Sequence, residues 1–158
     1  SSDVRNILFP VDYSEKTVEG LELLNSIFYN PIIKGIHFFE LPKGYYKTGK
    51  SEEEFIEILK NNANKEAESI ASKLKDIQNL SFENICSEGL DEFDNIIDYA
   101  KSNNYNIIAI GSRGRTNAAS LLLGSFAEKF IRHNREIPTF IFKTKRENMD
   151  FLKAFLNF

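Results

Sequence analysis

The sequence predicts an α/β domain built on a parallel sheet. Three observations predict it. Short β-rich runs alternate with longer amphipathic stretches in the order βαβαβαβαβ. The runs Asn6–Val11 and Tyr105–Ile110 are too continuously apolar to be half exposed, as in strands buried on both faces. Finally, 158 residues with 42% hydrophobic and 13% aromatic content form one domain of ordinary size. A chain of that length buries about two thirds of its unfolded surface and folds without disulfide or metal.

Each element follows in order. Asn6-Ile-Leu-Phe-Pro-Val11 is the first strand and stops at Asp12-Tyr13-Ser14. Ser14 is a good N-cap, and Val18, Leu21, Leu24, Ile27 and Phe28 recur at helical spacing until Asn30-Pro31. Ile32–Phe39 is the second strand. Residues 41–50, with two Gly, one Pro and three Lys, have the composition of an exposed loop. Ser51-Glu-Glu-Glu54 is an S-x-x-E capping box. It opens a long helix to about Lys75, with Phe55, Ile58, Leu59, Ala63, Ala67, Ile70 and Leu74 on its inner stripe.

Leu80–Cys86 alternates as a third strand. Gly89 to Asp91 turns into a third helix, with Phe93, Ile96, Ile97 and Ala100 facing inward. Tyr105–Ile110 is the fourth strand. A glycine-punctuated loop over 111–124, a helix from Ser125 to about His133 and a strand at Pro138–Phe142 complete the domain, taken as residues 1–143. Residues 144–158 break the alternation. Met149, Phe151, Leu152, Phe155, Leu156 and Phe158 form an apolar stripe on a short amphipathic extension that must dock on its own domain or on a second subunit.

The loop Gly111-Ser-Arg-Gly114…Gly124-Ser125 carries the strongest functional signal. It joins a buried strand to a helix, where open α/β sheets bind ligands. Glycine there permits close backbone approach and positive φ, so that successive N–H groups converge on an anion, and the helix at Ser125 adds its own unpaired N–H groups. From Tyr99 to Ala127 there are Lys101, Arg113 and Arg115 and not one acid, against a whole-chain charge of −3. The alternative is purely structural: turn glycines, and a second S-x-x-E box at Ser125 and Glu128.

Gly111, Gly114, Gly124 and Ser125 make the pattern G-x2-G-x9-G-[S/T]. It resembles the nucleotide-binding signature of the universal stress protein family in its ATP-binding branch. Ile7-Leu-Phe-Pro-Val-Asp12-Tyr-Ser14 resembles that family's opening strand and acid, and Gly124–His133 with Ile137–Phe142 resembles its fourth helix and last strand. The resemblance covers about residues 5–143. It implies a Rossmann-like sheet of five parallel strands in the order 3-2-1-4-5, with helices on both faces, that binds ATP. Asp12, with backbone groups of Pro10 and of the second strand near Phe38, would then face adenine and ribose. Backbone N–H groups of Gly111, Arg113, Gly114, Gly124, Ser125 and Phe126 would surround ribose and phosphates, with the Ser125 hydroxyl donating to a phosphate oxygen. Mg²⁺ or Mn²⁺ would be held mainly by the phosphates.

On residues alone Asp12 has a second reading, as an N-cap or Asx-turn residue, and the Arg113 side chain either screens phosphate charge or lies solvated. The resemblance also implies a homodimer through the last strand. Phe140 and Phe142 make that strand bulkier than is usual in the family, and the C-terminal extension could take part. Cys86 reads as a buried small hydrophobe, His133 as a cation at a helix C-terminus, Asp91 and Asp94 as N-cap and first-turn acids. His37 lies in the second strand with no neighbours for a metal or nucleophile site, and Tyr45-Tyr46 sit in a solvated loop or close over the nucleotide.

One cysteine excludes a disulfide framework and a multi-cysteine zinc site and points to a reducing, cytoplasmic setting. No apolar run approaches a membrane span, and the near-balanced charge argues against bulk nucleic-acid binding. Phosphoryl transfer needs a positioned metal and an oriented nucleophile. No P-loop, kinase loop or second acid beside the glycine loop is found. The reading is therefore a small ATP-binding stress-response or regulatory protein with slow or no hydrolysis and a regulatory protein partner. Competing readings are a nucleotide-independent dimeric interaction module and an adenylate-forming or electron-transfer relative. A Rossmann dehydrogenase is disfavoured because the glycine loop follows the fourth strand.

Overall fold

Residues 5–87, 89, 91–112 and 125–143 are described by a computed structural model. They form a sheet of five strands in the order β3-β2-β1-β4-β5, all paired in parallel. The strands are β1 (Asn6–Pro10), β2 (Ile32–Phe39), β3 (Asn79–Cys86), β4 (Ile107–Gly111) and β5 (Thr139–Phe142). Between them lie α1 (Glu15–Ile27), α2 (Glu52–Lys73), α3 (Glu92–Ser102) and α4 (Ser125–His133). Elements and order agree with expectation. The extension 144–158 and the loop residues 113–124 lie outside the described residues.

Period-two side-chain alternation divides the core. Ile7 and Phe9 of β1, Ile33, Ala109 and Phe142 pack with Leu21 and Leu24 of α1 and Ile70 of α2. Leu8, Ile36, Ile108 and Ile110 pack with Ile96, Ile97 and Ala100 of α3 and Ala127 and Phe130 of α4. The two helix layers follow from handedness. The chain steps β1→β2→β3 in one direction and then crosses to β4 and β5 in the other, so right-handed crossovers place α1 and α2 on one face and α3 and α4 on the other.

Local chemistry sets the helix starts. The Ser51 hydroxyl accepts from the Glu54 N–H at 3.2 Å, and an Asp91 carboxylate oxygen accepts from the Phe93 N–H at 2.8 Å. Four expectations are corrected. Ile58 is 38% exposed and does not belong to the inner stripe of α2, because residues 63, 67 and 70 define a narrower seam. Ser14 stands at the N-cap of α1, yet its side chain makes no capping bond; Asp12 instead accepts from the Ser14 N–H in a turn just ahead of the helix. Cys86 is only partly buried, since β3 is an edge strand. Ser125 is the first residue inside α4 rather than its cap, and Glu128 instead accepts from Arg132 one turn on, at 2.6 Å.

Candidate functional site

The site begins where β1 and β4 part. β1 is in register with β2 from Asn6↔Ile32 to Pro10↔Ile36, but its pairs with β4 are Ile7↔Ile107 and Leu8↔Ile108. Pro10, with no N–H to offer, ends the strand. This is the point at which strand order reverses, and a cleft of about 330 Å³ opens there beyond the carboxyl ends of the strands. That volume falls in the range of about 300–1,000 Å³ usual for ligand pockets.

Phe9, Ile36, Phe38, Ile96, Ile110, Phe126 and Phe142 give the cleft apolar walls. Asp12, Lys16, Thr17, His37, Glu92 and Ser112 supply polar groups. Three helices begin at its rim: α1 contributes Lys16 and Thr17, α3 contributes Glu92, and α4 contributes Phe126. Their first N–H groups and dipoles favour negative charge nearby.

Asp12 combines both of its readings. One carboxylate oxygen accepts from the Ser14 N–H at 3.0 Å and from the Thr17 hydroxyl at 3.2 Å, so the acid starts α1 while lining the cleft. His37 stands on the cleft wall, and its Nδ1 meets the Val11 carbonyl at 3.0 Å. A carbonyl can only accept, so Nδ1 carries the proton. On the other side Phe126 packs on Phe93 with ring centroids 5.1 Å apart. The His133 Nε2 lies 2.7 Å from an Asp94 carboxylate oxygen, tying the end of α4 to the start of α3.

Of the residues expected to hold nucleotide, Pro10, Asp12, Phe38, Gly111 and Phe126 line the cleft. Ser125 is exposed at the start of α4, beside Phe126 but not in the cleft wall. Arg113, Gly114 and Gly124 lie outside the described residues. Gly111 requires a correction: it is the last residue of β4, in register with Phe142, and is not at positive φ. Tyr45 packs on Phe55 and Tyr46 is 68% exposed; neither lines the cleft.

Lys16, Thr17, Glu92 and Ser112 line the cleft without having been expected there, and His37, expected only as a residue of the second strand, lines it too. Glu92 is a second acid in the cleft that Asp12 lines; the expectation of no second acid beside the glycine loop falls mostly on residues 113–124, outside those described. The available signal was positional: Ser112 follows the end of a central strand, and Lys16 and Glu92 fall in the first turns of helices that start at that level.

Comparison with known proteins agrees with this architecture. Residues 37–136 match the model of the Universal stress protein family. Universal stress protein MJ0577 of Methanocaldococcus jannaschii is 31% identical, the match covering 89% of this chain and 96% of that one. The solved structure of MJ0577 superposes with a TM-score of 0.61 at 26% identity over the same shares of the two chains. Hypothetical protein PH0823 superposes with a TM-score of 0.64 at 24% identity, covering 89% of this chain and 96% of that one. A universal stress protein solved in complex with cAMP has a TM-score of 0.52 at 14% identity, covering 90% and 98%, and so shares the fold. By family model, by sequence identity over most of its length and by strand order, this chain belongs to the universal stress protein family.

Proposed function

We propose that this universal stress protein binds an adenine nucleotide, ATP, in the cleft between β1 and β4, and acts as a regulatory or stress-response protein with slow or no hydrolysis. One observation carries the reading: an acid at the end of β1, apolar walls and three helix starts meet at the switch point of the sheet. An apolar slot with an acceptor at its edge suits a base and ribose, and helix starts with Lys16 suit phosphates. The cAMP complex of a fold relative supports a nucleotide as the ligand class.

In this reading Asp12, Pro10 and Phe38 hold the nucleoside. Gly111, Arg113, Gly114, Gly124, Ser125 and Phe126 form the phosphate side. The described residues gather no group of three His, Cys, Asp or Glu side chains, and Mg²⁺ or Mn²⁺ is carried by the phosphates. The protein works as a homodimer through β5. Among the described residues β5 is an edge strand, and Phe140 and Phe142 turn their rings to Phe28 at the end of α1 and to Phe9 of β1, on the face of the sheet and not at its edge. No described helix is long and apolar enough to cross a membrane, and the working compartment in this reading is the cytoplasm.

Titration calorimetry with Mg-ATP, AMP and cAMP, with mass spectrometry of nucleotide released from the purified protein, tests the reading. Saturable heat with ATP and a co-purifying adenine nucleotide are expected. No heat with any of the three and no nucleotide in the extract would leave the nucleotide-independent interaction module in its place.

A further inference from the structure

Tyr13 holds a backbone conformation that its residue type rarely adopts. Its φ is +60°, in the left-handed region where a bulky aromatic residue is an outlier. Such a residue persists only where its surroundings over-determine it.

Those surroundings form a continuous chain. The Tyr13 hydroxyl donates to the side-chain oxygen of Asn84 at 2.5 Å, and the Asn84 amide nitrogen donates to the Asn64 side-chain oxygen at 2.8 Å. Asn84 is 2% exposed in the middle of β3, and Asn64 lies on α2. A buried amide must be paired, so this one fixes the distance between the phenol and the edge strand. The Tyr13 ring also lies on His37 and Phe82, with centroids 5.3 and 5.9 Å away.

The residue before Asp12 is pinned as well. Val11 donates to the Ile36 carbonyl at 2.8 Å and accepts from His37 Nδ1 at 3.0 Å. Asp12 thus sits between two anchored neighbours, one tied to β2 and one to β3 and α2. Asp12 and His37 line the cleft; Tyr13, Asn84 and Asn64 do not.

We infer that Tyr13 is a positioning residue for the cleft: its hydrogen bond to buried Asn84 holds the left-handed turn that places the Asp12 carboxylate. The inference deepens the nucleotide reading and rests on it for its effect on affinity. Removing the phenol hydroxyl leaves the ring in place but frees the turn. Asp12 then loses its fixed aim at the ligand and at the Ser14 N–H.

The test is a cycle of Tyr13→Phe, Asp12→Ala and the double variant, read by Mg-ATP calorimetry and by amide exchange at Ser14 without ligand. Y13F is expected to weaken ATP about tenfold in the parent, a difference of about 1.4 kcal/mol, and to change nothing further in the D12A background. It is also expected to speed Ser14 exchange well beyond any change at β4 amides. Equal loss in both backgrounds, unchanged affinity, or Ser14 exchange that moves only in step with β4 overturns the inference. Asn84→Ala, which withdraws the acceptor and keeps Tyr13, repeats the cycle if Y13F does not fold. A parent that binds no ATP sinks the nucleotide reading, while the exchange measurement still decides whether Tyr13 positions Asp12.

Discussion

The rings of Phe9 on β1 and Phe142 on β5 meet edge to face, with centroids 5.6 Å apart at 77°. They are not strand neighbours, because β4 runs between them. The contact is possible because the residues of β4 that lie beside the two rings on that face are Ala109 and Gly111, small enough for the rings to close over. Both rings also line the cleft, which makes the floor of the site part of the core.

Gly20 of α1 lies over this pair. A Cβ at position 20 would come within 2.7 Å of Phe9 and 2.9 Å of Phe142. Gly20→Ala gains up to about 1 kcal/mol of helix propensity, and overpacking costs about 1–3 kcal/mol. Since both rings are buried, the overpacking term wins. Urea unfolding should show G20A destabilised by about 1 kcal/mol, and a stabilised variant would mean that the rings yield freely.

Gly111 separates ligand from scaffold. Its Cβ would meet Phe142 at 3.6 Å, an ordinary contact, and its φ is not positive. Gly111→Ala should therefore stay within about 0.5 kcal/mol of the parent, as surface-compatible changes do. If nucleotide backbone contacts run past this residue, the same variant loses ATP affinity by about tenfold or more, about 1.4 kcal/mol. Parent-like affinity by calorimetry removes Gly111 from the site.

Asp12 starts α1 and faces the cleft, and two substitutions divide these roles. Asp12→Asn keeps an acceptor for the Ser14 N–H and the Thr17 hydroxyl, so stability should hold within a few tenths of a kcal/mol, roughly 0.5 at most. Asp12→Ala loses both bonds at the helix start and should cost about 1 kcal/mol. Both should weaken ATP. If D12N destabilises as much as D12A, the charge itself matters to the helix start.

Tyrosine burial gives a pH limit. Burial first, with the charge of Glu66 adding to it, pushes the Tyr13 phenol from 10.0 up to about 12. Burial also raises Tyr99, reinforced by its bond to Glu83, and raises Tyr105. The folded chain holds these protons more tightly than the unfolded chain, so the stability they contribute is whole below pH 10 and is lost as pH climbs towards 12. Urea midpoints measured through that window should fall, and Tyr13→Phe should remove part of the slope. A flat profile in the parent contradicts this linkage.

Much of the fold is legible in the residues. Buried strands such as Ile7-Leu8-Phe9 and Ile108-Ala109-Ile110 are continuous apolar runs because both sheet faces are covered. Asp91 and Ser51 cap helices through local bonds, which a short window contains. Ile58 shows where a window fails: helical spacing admits it to the stripe of α2, yet only the width of the contact with β3 decides which positions are buried, and it lies outside.

The candidate site was half legible. Asp12, Gly111 and Phe126 stand beside strand or helix ends that the pattern marks. His37 and Asn84 do not, because their roles depend on residues 26 and 71 positions away in Val11 and Tyr13.

The sequence by itself determined the alternation of elements, the helix caps at Ser51 and Asp91 and the acid at the end of the first strand, since each depends on local periodicity and short-range hydrogen bonds. Only the tertiary structure decided that β1 and β4 part after Leu8 and Ile108, that Glu92 enters the cleft, and that Tyr13 turns left-handed onto Asn84. Those outcomes follow from pairing a buried amide and closing a sheet over small residues, which no stretch of chain can do with itself.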